Sequence, residues 1–421
     1  MSLKLFAVLC LVMVFTKAQD ETLETEKYVG PNEDDQEVPG PNPENSAKVQ
    51  EECPLKDEKE TSPLYYKEYL EYLRKYNKAY NCDDFQKRYS LYLSRRAEVE
   101  RHNAIPNVSY LQALNYFSDL TEEERIARFL GIESEDRDQA PVTVIEGGKD
   151  EETDADEFNL QQNENQEAFS TNVLNLDIFK KIVFNFDFIC CSFNPFGVPC
   201  KKDWQNLGKV TSVKNQANCG SCWAFAAVAA VESAYLINYN NYLNLSEQEL
   251  VSCATSSWGN FGCSGGWPHK ALDYIIKNRI HKETTFPYTA TNGVCNSFPF
   301  VYKYPIKSRT IVLPQNRMDT FLQNLSKRPI AVAFKVTGSF WNYSSGIYNS
   351  AYDSACSTPG INHAVLAVGY SLGCNPYIRF KNSWGAGWGE NGFFRMKISK
   401  NIIQNGPCNL INHPYNVYPS L

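Results

Sequence analysis

Three things are scarce in this chain, and each scarcity excludes something. There is no run of basic residues, and 41 Lys and Arg against 48 Asp and Glu leave a net charge of −7. That balance speaks against a nucleic-acid partner. No uninterrupted apolar stretch reaches the roughly 20 residues that cross a bilayer. The run from Leu5 to Phe15 is too short, and "VLNLDIFKKIVFNFDFICCSFNPFG" is broken by Lys180, Lys181, Asn185 and Asp187. Histidine is the third: with only five in 421 residues, chemistry that needs an imidazole has few positions to use.

Cysteine, by contrast, is plentiful at fourteen. The opening "MSLKLFAVLCLVMVFTKAQDE" has Lys4, an apolar core and small residues Thr16 and Ala18. This pattern predicts a secretory signal over 1–18, cut after Ala18. An oxidising compartment then makes disulfides the default fate of most cysteines. Glycosylation sequons starting at Asn107, Asn244, Asn324 and Asn342 fit the same route.

Composition divides the rest. Residues 19–60 are acidic, rich in Pro and Asn, and too poor in large apolar groups to fold. Residues 61–131 have the texture of a small, mainly helical domain. Phe85, Tyr89, Tyr92 and Val99 recur at near-helical spacing, "YLQALNYFSDL" alternates like a short strand, and Thr121 with Glu124 forms a capping box. Residues 132–197 are an acidic linker followed by a Phe- and Ile-rich piece with no evident physical role, expected to be translated non-coding sequence. Residues 198–421 read as one globular unit, with a helix from Cys222 to about Asn238 and later strands in "RPIAVAFKV", "HAVLAVGY" and "PYIRFKNSW". Helices first and strands later predict an α+β arrangement in two lobes.

The sharpest local feature is "NCGSCWAFAAVAAV". Its two cysteines, three positions apart, suit a metal clip, a redox pair, half a disulfide or a nucleophile. A thiol at the first turn of a helix faces unpaired N–H groups and the positive dipole end, which favour thiolate. That helix end can also hold an oxyanion, with Gln216 adding a side-chain N–H. For the partner base, His102 falls in the upstream helix, and His269 and His281 lie in polar stretches expected at the surface. His363 enters an apolar strand, where an imidazole is held rigidly. Asn382 can orient it, with Trp384 and Trp388 shielding the bond. Taken alone, His363 is also compatible with a satisfied core histidine.

Together these residues resemble the papain family of cysteine proteases. The resemblance rests on "CGSCW", "VPCKKDW", "LSEQELVSC", "GCSGGWP", "NHAVLAVGY" and "KNSWG", and covers 198–421. It implies Cys222 as nucleophile, His363 as general base and acid, Asn382 as its orienter and Gln216 as oxyanion donor. It also implies a papain-like two-lobe fold, with a helical left lobe and a β-barrel-like right lobe. Upstream, Asp84, Arg88, Tyr92, Arg95, Val99 and Asn103, then Ala113, Asn115, Phe117 and Asp119, resemble the inhibitory propeptide of the cathepsin L-like branch. The chain is therefore expected to be a zymogen with its own propeptide as intramolecular inhibitor, acting as a monomer on protein and peptide substrates in the lysosome or extracellular space. No cofactor or metal is implied. Departures are Ala217 where Gly is usual, Ala226 for Ser, Asn362 for Asp and Arg95 for Asn.

The same resemblance implies disulfides Cys219–Cys263, Cys253–Cys295 and Cys356–Cys408, which would leave Cys222 free. A redox pair needs both thiols of that motif, and zinc needs about four close ligands. Cys200 and Cys374 remain, and are expected to pair. The substrate pocket is expected to be lined by Gly265, Gly266, Trp267, Pro268, Ala333, Ile361, Ala364 and Trp384. Its apolar walls suit Leu, Val or Phe, with Asn412 or His413 at the base. A histidine there would change preference between pH 5 and 7. Two rival readings are a catalytically dead scaffold protein and a free inhibitor built on residues 63–131.

Overall fold

The computed structural model describes residues 63–132, 191, 194–312, 315–413 and 415–421. The expected signal, the acidic segment and most of the 132–197 linker lie outside them. All described residues belong to one unit spanning 42–421.

The upstream region opens with α1 (Pro63–Lys75) and α2 (Cys82–Asn103). Asn81 caps α2 by accepting from the Asp84 N–H. Phe85, Tyr89 and Tyr92 face Tyr69, Tyr72 and Leu73, giving this region its own aromatic core. The next stretch is strand only over β1 (Tyr110–Gln112), then turns into α3 (Glu122–Phe129), whose capping box at Thr121 and Glu124 is complete. Asp119 is fully buried and accepts from Tyr72 Oη (2.9 Å), Tyr80 Oη (3.0 Å) and Lys78. Arg88 binds Glu124 and the Asp119 carbonyl, tying α2 to α3. These bonds satisfy charges that would otherwise be costly to bury.

The larger region is built around α4 (Cys222–Tyr239), followed by α5 (Glu247–Cys253) and α6 (Pro268–Asn278). Residues 222–236 of α4 are all buried, and its alanines let neighbours approach closely. Glu232 on this helix is neutralised by Lys214 (2.9 Å), which also reaches Glu247 (2.8 Å). The sheet comprises β2 (Lys201–Asp203), β3 (Ser308–Ile311), β4 (Ile330–Phe334), β5 (Tyr343–Tyr348), β6 (His363–Ser371), β7 (Tyr377–Lys381), β8 (Phe393–Lys397) and β9 (Val417–Ser420), with α7 (Met318–Lys327) packed alongside. Its order is β1-β5-β8-β7-β6-β4-β9-β3, with β2 also on β6.

Strand alternation divides the interior. On β4, Ala331 and Ala333 join the cluster around α4, while Ile330, Val332 and Phe334 join a second, aromatic cluster. Ala364, Leu366 and Val368 of β6 face α4 in the same way. Small side chains on one face and large ones on the other seat the helix against the sheet and make the two lobes. The sheet is not closed into the expected barrel: its terminal strands β1 and β3 do not pair, and the β5 edge is taken by β1 of the upstream domain (Tyr110↔Gly346, Gln112↔Tyr343). Such strand addition satisfies an otherwise open edge.

Disulfides join Cys219 to Cys263, Cys253 to Cys295 and Cys356 to Cys408. The expected Cys200–Cys374 pair is not formed. Cys200 is bonded to Cys191, and Cys374 is itself disulfide-bonded. The two do lie close, since Leu372 N donates to the Cys200 carbonyl (2.8 Å), but the nine-residue hop back to Cys191 brings a nearer partner. Of the sequons, Asn107 and Asn244 are exposed and Asn342 is buried.

Candidate active site

Cys222 is the first residue of α4, fully buried, and the free cysteine among the described residues. Its thiol lies in hydrogen-bonding range of backbone at Ala364, Gly131 and Trp223. Ala364 follows His363, so the start of β6 meets the start of α4 at this point.

His363 Nε2 lies 2.8 Å from Asn382 Oδ1, which also accepts from Ser383 N (2.9 Å). Two donors converging on that atom identify it as the oxygen, so Nε2 carries the ring proton. Nδ1 is then the basic nitrogen, and it has no hydrogen-bond partner. Trp384 covers the ring at 4.7 Å and stacks on Trp341, with Trp388 edge-on at 4.9 Å. The bond to Asn382 is thus kept from water.

Gln216 is held from three sides. Its N–H donates to Ser383 O (2.8 Å), its Oε1 accepts from Ser383 Oγ (2.6 Å), and its carbonyl accepts from Tyr288 Oη (2.8 Å). This leaves Nε2 aimed at Cys219 O (2.9 Å) and at Phe129 O (3.1 Å), a carbonyl from the upstream domain. Ala217 takes a φ of +48°, the left-handed region where glycine is favoured.

The chain after α3 therefore runs through this site. Gly131 N and Ile132 N both donate to Asn362 O (3.2 Å), and Gly266 N donates to Gly131 O (2.9 Å). Ile132 is buried in the cluster that contains Trp267, Ala333 and Ala364. Under this cover, burial pushes the Cys222 thiol up to about 11 against the pull of the surrounding backbone hydrogen bonds. Burial also lowers His363 to about 4, opposed by the bond to Asn382. Both groups are neutral at ordinary pH in this form.

The expected pocket residues are brought together in part. Gly265 and Gly266 lead into Trp267 and Pro268 at the start of α6, and Ala333 pairs with Ala364 across β4 and β6. Ile361 is half-buried beside them. His413 is buried under Ala333, with Nε2 at 2.8 Å from the Ala333 carbonyl and Nδ1 accepting from Tyr415 N (3.3 Å). Burial lowers it to about 4, so its charge does not change between pH 5 and 7, contrary to the sequence expectation. One further residue was not singled out in the sequence. Tyr415 packs on Trp267 at 4.3 Å and stacks on His269 at 5.0 Å. His269 and His281 were expected at the surface, yet both are buried: His269 in this aromatic stack, His281 against Glu249 (3.0 Å). No periodicity marks an aromatic that meets its partners only through a C-terminal turn.

Residues 198–417 match the family described as papain family cysteine protease, and 69–125 match the cathepsin propeptide inhibitor domain. Ananain of Ananas comosus is 31% identical over 369 residues, covering 86% of this chain and 90% of that one. A cathepsin L-like proteinase of Fasciola hepatica is 34% identical over 329 residues, covering 77% and 85%. Among solved structures, a recombinant stem bromelain precursor aligns with a TM-score of 0.63 at 30% identity, covering 85% of this chain and 99% of the other. Digestive procathepsin L 3 of Tenebrio molitor larval midgut aligns at 0.64 and 25%, covering 86% and 100%.

Proposed function

Because the chain belongs to the papain family of cysteine proteases, we propose that Cys222, His363, Asn382 and Gln216 carry out its peptide hydrolysis through a thiol acyl-enzyme. Once the upstream segment leaves, His363 Nδ1 takes the thiol proton and Cys222 Sγ attacks the scissile carbonyl. The developing oxyanion is held by Gln216 Nε2–H and the N-terminus of α4. His363 then protonates the leaving amine, and water, activated by the same ring, releases the acid. Asn382 keeps the imidazole in the tautomer this sequence of transfers needs.

One observation carries the reading. Asn362 O and Gly266 N clasp the backbone of Gly131 and Ile132, while Gln216 Nε2 meets a peptide carbonyl. The cleft is thus formed to hold extended peptide beside the thiol. The apolar walls and the neutral His413 favour Leu, Val or Phe in the neighbouring pocket at any pH from 5 to 7. The signal pattern and the disulfides support a secretory route, with the lysosome or the extracellular space as the working place. Hydrolysis of a Phe- or Leu-containing peptide by the processed protein, lost by 10³-fold or more (an order-of-magnitude figure) in Cys222→Ala, is the expected result. Hydrolysis that persists in the variant would refute the assignment.

A further inference from the structure

The family match begins at residue 198, yet the fold begins earlier. Phe196 is 1% exposed and belongs to the same core cluster as Trp204, Phe321, Leu322 and Leu325. Asn194 shapes the turn that delivers it: its N–H donates to Cys191 O (2.9 Å), its Oδ1 accepts from Phe196 N (2.9 Å) and its Nδ2 donates to Val198 O (2.7 Å). Cys191 is bonded to Cys200, and Cys200 leads directly into β2, which pairs with β6. The segment just before 198 is therefore fastened to the protease core by a buried ring, a set of turn hydrogen bonds and a covalent link.

We infer that the maturation cut lies on the N-terminal side of Cys191, so that the active protease keeps residues 191–197 as part of its own fold. This rests on the reading of the chain as a zymogen freed by proteolysis. Two consequences of the geometry argue for it. A protease needs its target in extended form, and the 191–200 loop is closed by the disulfide and held by its own hydrogen bonds. More decisively, a single cut between Cys191 and Cys200 would leave the inhibitory domain attached through that disulfide. Its effective concentration at the cleft would stay that of the uncut chain, set by the same linker before Cys191, and inhibition would persist. A cut before Cys191 leaves that disulfide wholly inside the protease. The Phe-rich piece that the sequence left unexplained thus has at least its last residues accounted for: they complete the core of the protease.

The test is acid processing of the full chain without reductant, followed by labelling with an iodoacetamide-type thiol probe and intact mass before and after reduction. The expected labelled species, after reduction, begins at or before Cys191. A labelled species beginning anywhere from 192 to 200 would overturn the inference. As a second measure, Phe196→Ala should lower the melting temperature of the processed enzyme on the order of 10 °C. An unchanged melting temperature would also overturn it. A processed chain that takes no label speaks against the catalytic reading alone, because its first residue still decides the position of the cut.

Discussion

Gly131 and Gly220 approach each other so closely that a Cβ on Gly131 would stand 1.8 Å from the Gly220 carbonyl oxygen. Backbone cannot yield there, because Gly220 N is bonded to Cys263 O (2.9 Å) and Cys263 is linked to Cys219. The inhibitory segment passes the thiol only because both residues lack side chains. Gly131→Ala should therefore lift the segment from the cleft. Peptide hydrolysis by the unprocessed chain, measured before any cleavage shows on a gel, is expected to rise about tenfold or more, which corresponds to about 1.4 kcal/mol of lost closure. A variant as silent as the wild type would contradict this account of latency.

Acid sensitivity follows from buried histidines. Burial holds His363 and His413 at about 4 and His269 at about 3, all below the ordinary 6.5. The unfolded chain takes up protons as pH falls below about 6.5 and the folded chain does not, so stability declines from there towards pH 4. Glu124 behaves differently. Its bond to Arg88 holds it at about 2, so its contribution is kept until pH falls below about 4.5 and is lost on the way to 2. Between pH 6.5 and 4.5 the histidines dominate. His413→Gln, which keeps a donor for the Ala333 carbonyl, should reduce the slope of stability against pH near pH 5 by about one proton, or about 1.4 kcal/mol per pH unit at most. Urea titrations at pH 5 and 7 would reveal it; parallel losses in both proteins would refute it.

Ala217 offers a stabilising change. Its φ of +48° costs an alanine about 1 kcal/mol that glycine does not incur. Its N–H is bonded to Asn215 Oδ1 (3.0 Å), so the conformation is locally fixed. Ala217→Gly should raise stability by up to about 1 kcal/mol, less what the freer unfolded chain takes back, and leave hydrolysis intact. A lower melting temperature would mean that the turn gains more from the methyl group than it loses in strain.

The parts of the fold legible in the sequence are those whose cause is local. Apolar spacing places α2, a complete capping box starts α3, and an alanine-rich run starts α4 at Cys222. The residues proposed for the chemistry were legible because each stands in a short motif of its own. What was not legible depends on partners distant in the chain. The addition of β1 to β5 is a matter of an open edge that only the assembled sheet presents. Tyr415 joins Trp267 through a C-terminal turn, and His413 is buried against a carbonyl eighty residues away. Cys200 was misread for a different reason: its partner Cys191 is only nine residues away, inside the piece the sequence left unexplained. The shared neutralisation of Glu232 and Glu247 by Lys214 likewise has no mark in the spacing.

The most direct test of the central claim is the rate at which iodoacetamide alkylates Cys222 between pH 5 and 9, in the intact chain and after processing. Burial under the 129–132 segment keeps the thiol protonated in the intact chain, with its pKa pushed up to about 11. The account predicts slow labelling there, rising only at the alkaline end. After processing, the exposed pair with His363 should label fast already at pH 5, as thiols activated to roughly 3.5–7.5 do. Equal rates for the two forms at pH 5, or a processed enzyme whose rate climbs only towards pH 8, would contradict it.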